Sequence, residues 1–172
     1  MSSTALNKSL LVLRQLGFIF SNVTGSKLPK TILRRLFRYA QSDVLVTNFD
    51  GNLTVSLNLS EHMQRRIFWM EYYSEDIVSV LNQYLVPNMA VLDIGANIGE
   101  ITLLAAKRVG IHGRVYAFEP MDNIANKLTQ HIELNHFTQV EIHRCALGNK
   151  PNSQIAIYSS CGQQRNDKNE GL

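Results

Sequence analysis

The chain has 172 residues, enough for one domain with a sizeable buried core. Hydrophobic residues make up 45% and charged residues 18%, the balance of a soluble globular protein rather than a disordered or fibrous one. The net charge of +3 is too small to argue by itself for nucleic acid, and no nucleic-acid partner is expected. Cys145 and Cys161 are too few for a disulfide framework and fit a reducing compartment. The five histidines, His62, His112, His131, His136 and His143, show no metal-ligand spacing, so no metal site is expected. The apolar run Leu10 to Leu13 is cut by Arg14, and Leu16 to Phe20 is too short to add a span. With no signal peptide and no transmembrane segment, the expected location is cytoplasmic.

Residues 1–42 read as a basic helical leader and 43–172 as an incomplete α/β domain with its core at 86–158. In the leader, Ile32, Leu33, Leu36, Phe37 and Ala40 alternate with Lys30, Arg34, Arg35 and Arg38, which predicts an amphipathic helix over Leu28 to Ala40. Its cationic face is either a solvated surface or a contact for an anion such as a nucleotide-sugar, a phosphate or a membrane surface. Val44 to Phe49 and Leu53 to Leu57 alternate apolar residues around Asp50-Gly51, the signature of a hairpin. Helices are predicted over Glu61 to about Tyr73 and over Glu75 to Leu85, the second with Ile77, Val78, Leu81 and Leu85 at helical spacing.

From Ala90 the rhythm changes. A short apolar strand at Ala90 to Ile94 is followed by a helix at Ile98 to Val109, with Ile101, Leu104 and Ala105 inward. A second strand at Val115 to Phe118, a helix at Asp122 to Asn135 (Ile124, Leu128 and Ile132 inward) and a third strand at Val140 to Cys145 follow. This βαβαβ order implies a Rossmann-like parallel sheet. Gln154 to Tyr158 reads as one more short strand, and the residues from Gly162 are polar.

The chemistry concentrates where the first of these parallel strands meets its helix. Asp93-x-Gly95-x-x-x-Gly99 is a glycine-rich turn at a place where such folds bind cofactors. A dinucleotide fingerprint would carry a further glycine between the two, so that a pyrophosphate can sit on the helix N-terminus. This loop lacks it and places Asp93 first, where a carboxylate would repel a pyrophosphate but suit a ligand bearing an ammonium and a sulfonium. Glu119 ends the second strand, 26 residues after Asp93 and near the roughly 20-residue offset of a ribose-binding acid. Its two oxygens can accept from both ribose hydroxyls. Gly95 and Gly99 could instead serve turn and packing alone, Asn97 the turn, and Glu119 the dipole of the next helix.

The runs Val91 to Gly99, Val115 to Pro120, Leu134-Asn135 and Ala146-Leu147-Gly148 together resemble the FkbM family of S-adenosylmethionine-dependent methyltransferases. Tyr72-Tyr73-Ser74-Glu75 resembles that family's segment ahead of the first strand, and the resemblance extends from about Asp50 to the C-terminus. It implies a class I methyltransferase fold, S-adenosyl-L-methionine as cofactor, and O-methylation of a small-molecule hydroxyl, a saccharide or natural product among the candidates. It further implies that Asp93, Gly95, Ala96, Asn97 and Gly99 cradle the methionine end of the cofactor, that Glu119 holds the ribose, and that Ala146 lies near the adenine. Family members continue with a strand ending in an Asp-Val-Glu-Gly-like motif. None occurs before Leu172, although Asn166 to Leu172 resembles the segment that precedes it. The expectation is therefore a truncated or split enzyme holding the N-terminal half of the sheet, whose first strand would offer an open edge to a second copy or a partner chain. No residue stands out as catalytic base; His112 and His143 read as surface or structural residues, and Glu75 and Tyr72 as weak candidates for the rim of the site. A non-catalytic cofactor-binding module and a nicotinamide-dinucleotide binder remain the alternatives.

Overall fold

The computed structural model describes residues 3–40 and 42–149. The expected strand at Gln154 to Tyr158, Cys161 and the segment Asn166 to Leu172 lie outside the described residues.

Two helices open the chain, α1 at Ser3–Thr24 and α2 at Leu28–Leu36. The helix expected to reach Ala40 stops at Leu36, because Phe37 leaves helical values at φ −99°, ψ 26°. The apolar residues of α2 also divide. Leu33 and Phe37 pack inward, Phe37 stacking on Trp69 at 5.7 Å between ring centres, whereas Leu28, Ile32 and Leu36 are exposed. The reason is geometric: α2 rests on α1 and on the helix that carries Trp69 with one side only, which is narrower than its apolar arc.

Strands β1 (Asp43–Phe49) and β2 (Leu53–Asn58) form the expected antiparallel hairpin. Asp50 and Gly51 turn it with φ of 45° and 90°, the positive values that Asp-Gly tolerates. Val44, Val46, Phe49, Leu53, Val55 and Leu57 point to one face and are buried beneath Ile67, Phe68 and Trp69 of α3 (His62–Met70). Leu10 of α1 joins the same core. Arg14 is also buried there: Nε donates to the Phe68 carbonyl (2.8 Å), Nη1 to Asn48 Oδ1 (2.9 Å) and Nη2 to Glu71 Oε2 (2.7 Å). All three directions of the guanidinium fork are thus used, which is what makes a buried arginine tolerable.

After α4 (Glu75–Tyr84) come β3 (Ala90–Ile94), α5 (Glu100–Val109), β4 (Arg114–Phe118), α6 (Asp122–Leu134) and β5 (Val140–His143). The three strands pair in parallel in the order β3-β4-β5. Helices α5 and α6 cover one face, burying Val115, Ala117, Leu103, Leu104 and Leu128. His131 and Asn135 of the α6 region fasten this layer to the hairpin through backbone groups of β2. Asn135 Oδ1 accepts from Thr54 N–H (2.8 Å), its Nδ2 donates to the Thr54 carbonyl (2.7 Å), and His131 Nε2 accepts from Ser56 N–H (3.0 Å).

Several boundaries and burials differ from expectation. Helix α5 begins at Glu100 rather than Ile98, because Asn97 (φ 51°) and Gly99 (φ 93°) are left-handed. Helix α3 ends at Met70, where Glu71 takes a φ of 81°, and β5 ends at His143 rather than Cys145. Ile77 of α4 is exposed, and only Val78 and Leu81 of that helix are buried. In β3, Leu92 (61%) and Ile94 (64%) are exposed, because no described helix covers the second face of the sheet. Among the described residues β3 is an edge strand, paired with β4 alone.

Candidate cofactor site

The loop from Gly95 to Gly99 folds across the carboxyl end of the sheet. The N–H groups of Gly95 (2.9 Å) and Ala96 (3.0 Å) both donate to the carbonyl of Phe118 at the end of β4. Asn97 holds the turn by accepting the Ile98 N–H on its own Oδ1 (2.7 Å). Gly99 is fixed by two requirements: its φ of 93° is left-handed, and a Cβ there would stand 2.4 Å from Leu128 Cδ1 of α6. Gly95, by contrast, is exposed at φ 82°, and the space a Cβ would fill is open. A bare backbone surface at this loop is what close approach of a ligand needs.

Glu119 locks the arrangement. Its Oε2 accepts the Asn97 N–H (3.0 Å) and its Oε1 the Met121 N–H (2.9 Å), so one carboxylate joins the loop after β3 to the loop after β4. Gly95, Ala96, Asn97, Gly99 and Glu119 therefore come together at one edge of the sheet. Asp93 lies beneath them on the α5 side, where its Oδ2 accepts the Thr102 hydroxyl (2.5 Å). Burial pushes its carboxyl above the usual range, and the Thr102 hydrogen bonds oppose this. Ala146 is exposed, three residues past the end of β5. His143 and Phe118 stack face to face at 4.7 Å, so His143 belongs to the sheet surface; His112 sits in the turn before β4.

Two residues escape sequence reasoning. Glu100, first in α5 and 9% exposed, accepts the Tyr73 N–H on Oε1 (2.7 Å). Burial pushes its carboxyl up to about 7, against the Tyr73 hydrogen bond and the Arg66 charge. The only sequence signal was an acid in a first helical turn, a common dipole partner. His131 is fully buried. Nδ1 faces the Ile98 carbonyl (2.7 Å), an acceptor, and so carries the proton; Nε2, which lies 3.0 Å from both the N–H and the carbonyl of Ser56, then accepts from the N–H. Burial lowers its pKa, and its backbone hydrogen bonds oppose this. Its position on an amphipathic helix gives no hint of these partners.

Next to the loop lies a cleft of about 760 Å³. Asn97, Ile98 and Met121 form one lip, and the start of α3 with Tyr73 forms the other. Lys127 of α6 also faces it; its amine donates to Ser56 Oγ (2.9 Å), and burial lowers its pKa. Among the described residues, no group of His, Cys, Asp or Glu is arranged to hold a metal.

Residues 93–171 match the methyltransferase FkbM domain. The match begins at Asp93 itself, and the family is the one the sequence resembles. The chain is 34% identical over 104 residues to the AMB antimetabolite synthetase AmbE of Pseudomonas aeruginosa, a stretch that covers 60% of this chain and 5% of that protein. The chain thus spans about one-twentieth of that relative. Among solved structures, it is similar to a SAM-dependent O-methyltransferase of Thermotoga maritima (18% identity, 66% of this chain, 44% of that one, TM-score 0.39). It is also similar to an rRNA methylase of Streptococcus thermophilus (19% identity, 41% of each chain, TM-score 0.37). The cofactor that goes with the matched domain is S-adenosyl-L-methionine. The residues present fit it: an exposed backbone at Gly95, a carboxylate at the end of the neighbouring strand, and no three-glycine phosphate cradle.

Proposed function

We propose that this chain is the cofactor-binding part of an S-adenosylmethionine-dependent O-methyltransferase acting on a sugar or natural-product hydroxyl. The observation that carries the reading is the Glu119 latch, which brings the Gly95–Gly99 turn and a carboxylate side by side at the carboxyl ends of two parallel strands. Gly95, Ala96, Asn97 and Gly99 cradle the methionine end, with Asp93 supplying negative charge beneath it. Glu119 takes the ribose hydroxyls on its remaining lone pairs, and Ala146 borders the adenine. The bound cofactor supplies an activated methyl group. The protein's part is to hold the acceptor hydroxyl in line with it and to exclude water.

Calorimetric titration with S-adenosylhomocysteine and NAD tests this. The first should bind and the second should not, and Glu119→Ala should weaken the first at least tenfold. An unchanged affinity in that variant would sink the ribose assignment.

A second reading, a cofactor-binding module without turnover of its own, is favoured by the edge of β3, which among the described residues is unpaired, and by its exposed Leu92 and Ile94. Such an edge suits a further segment, a second copy or a partner chain. Transfer of a radiolabelled methyl group to sugar acceptors by the chain alone would rule this reading out.

A further inference from the structure

The cationic side of α2 lines a cavity. Thr31, Arg34 and Arg35 of α2 and Arg38 just beyond it face His62 and Arg65 of α3 across a cavity of about 350 Å³, within the roughly 300–1,000 Å³ of small-molecule sites. Arg65 is aimed by its own bonds, Nη1 donating to the Leu59 carbonyl (2.9 Å) and the Ser60 carbonyl (3.2 Å). Arg38 lies over the Tyr39 ring at 4.5 Å. Among the described residues, neither Arg34 nor Arg35 has an ion-pair partner. Four guanidinium groups around one cavity repel each other, and a planar polydentate anion relieves that repulsion. The charge distribution agrees. Residues 1–42 carry seven Lys and Arg (Lys8, Arg14, Lys27, Lys30, Arg34, Arg35, Arg38) and no Asp or Glu, whereas residues 43–172 carry 10 Lys and Arg against 14 Asp and Glu.

The second observation is continuity. His62 lines this cavity and also the cleft beside the cofactor loop, so the two adjoin at this residue. The cleft side offers hydroxyl-binding groups, the amides of Asn58, Gln64 and Asn123 and the half-exposed ring of Tyr73. We infer that the Arg34–Arg35–Arg38–Arg65 cavity binds a phosphate or diphosphate carried by the methyl acceptor, whose hydroxyl-bearing part runs past His62 to the Asn97 lip. The anion subsite stands on its own; its link to the acceptor rests on the cofactor loop being as proposed above. The phosphate can belong to a soluble compound or to a lipid headgroup.

Calorimetry with inorganic pyrophosphate as probe, on the full chain, tests the subsite. The chain should bind pyrophosphate, and Arg34→Gln/Arg35→Gln should weaken it at least tenfold without altering the thermal melt. Should that variant fold poorly, Arg38→Gln, on an exposed residue, should still weaken binding at least threefold. Raising salt from 50 to 200 mM should weaken pyrophosphate binding in the wild type far more than in the variant. Flotation with phosphatidylglycerol vesicles, against phosphatidylcholine controls, separates the sources. Vesicle binding without pyrophosphate binding overturns the acceptor subsite in favour of a lipid surface, and absence of both overturns the proposal altogether. Pyrophosphate binding equal in wild type and variant also overturns it. S-adenosylhomocysteine affinity is read in the same samples and should not change in the arginine variants. Loss of that ligand in the wild type with pyrophosphate binding intact would refute the proposed function and leave the anion subsite standing.

Discussion

Glu100→Gln should stabilise the protein at alkaline pH and leave it unchanged in acid. The carboxyl of Glu100 rises from an ordinary 4.5 to about 7 because it is 9% exposed and has one backbone donor, Tyr73, with Arg66 the charge that opposes the rise. A raised folded value means that the folded chain keeps a proton the unfolded chain has already released. The stabilisation is complete below pH 4.5 and is lost as pH rises through about 7. The difference between the two values corresponds to roughly 3 kcal/mol of ionisation penalty at pH 8. Glutamine keeps an acceptor for the Tyr73 N–H and never ionises. The stability gap between variant and wild type should therefore grow from near zero at pH 4.5 to as much as about 3 kcal/mol at pH 8. Urea unfolding followed by the emission of Trp69, the single tryptophan, measures it. With a slope of about 1–3 kcal/mol per molar urea, the midpoint moves by roughly one molar or more. Other titrating groups, such as His131 and Glu71, cancel in the difference. A gap that stays constant from pH 4.5 to 8 would refute the reasoning.

His131→Leu should cost about 2–5 kcal/mol, since the Ser56 N–H and the Ile98 carbonyl lose a buried partner. Because burial lowers the folded pKa of His131, its contribution is complete above pH 6.5 and fades as pH falls. The variant should accordingly lose part of the wild type's acid sensitivity below that value, read from melts at pH 5 and 7. Gly99→Ala forces a left-handed Ala and displaces Leu128, at about 2–4 kcal/mol by urea midpoint. Ala at Gly95, where the space is open, should cost only the backbone term of about 1–2 kcal/mol. Arg14→Met strands the buried Glu71 carboxylate, which burial already holds above the ordinary range. The cost should be about 3–5 kcal/mol at pH 7, shrinking as pH falls and Glu71 takes a proton.

The βαβαβ segment was legible because its signals are local. Apolar runs such as Ala90 to Ile94 and left-handed residues such as Gly95 and Gly99 mark their places without reference to distant chain. The turn from Gly95 to Gly99 was legible for the same reason, as was the place of Glu119 at the end of the second parallel strand. What escaped depends on partners far away in sequence. The burial of Arg14 needs Phe68, Asn48 and Glu71, and the raised carboxyl of Glu100 needs Tyr73. The arginine cavity forms only when α2 lies against α3, so residues 31–38 alone read as a cationic face of undecided use. The exposure of Leu92 could not be told from periodicity, since an apolar run is the same string whether one face of its sheet is covered or both.

The side chains that α6 lays along β2 have a consequence for how copies of this chain meet. Asn135 and His131 occupy the backbone groups of Thr54 and Ser56 as a neighbouring strand would, so the hairpin presents no free ladder on that side. Edge-to-edge growth into aggregates needs such a ladder. Among the described residues it is sealed on the outer side of β2, while β1, β3 and β5 end their sheets without a further strand, so association should run through those edges and not through β2. Loosening the seal with Asn135→Ala should free the Thr54 backbone groups and raise the rate of aggregation, read by light scattering against the wild type.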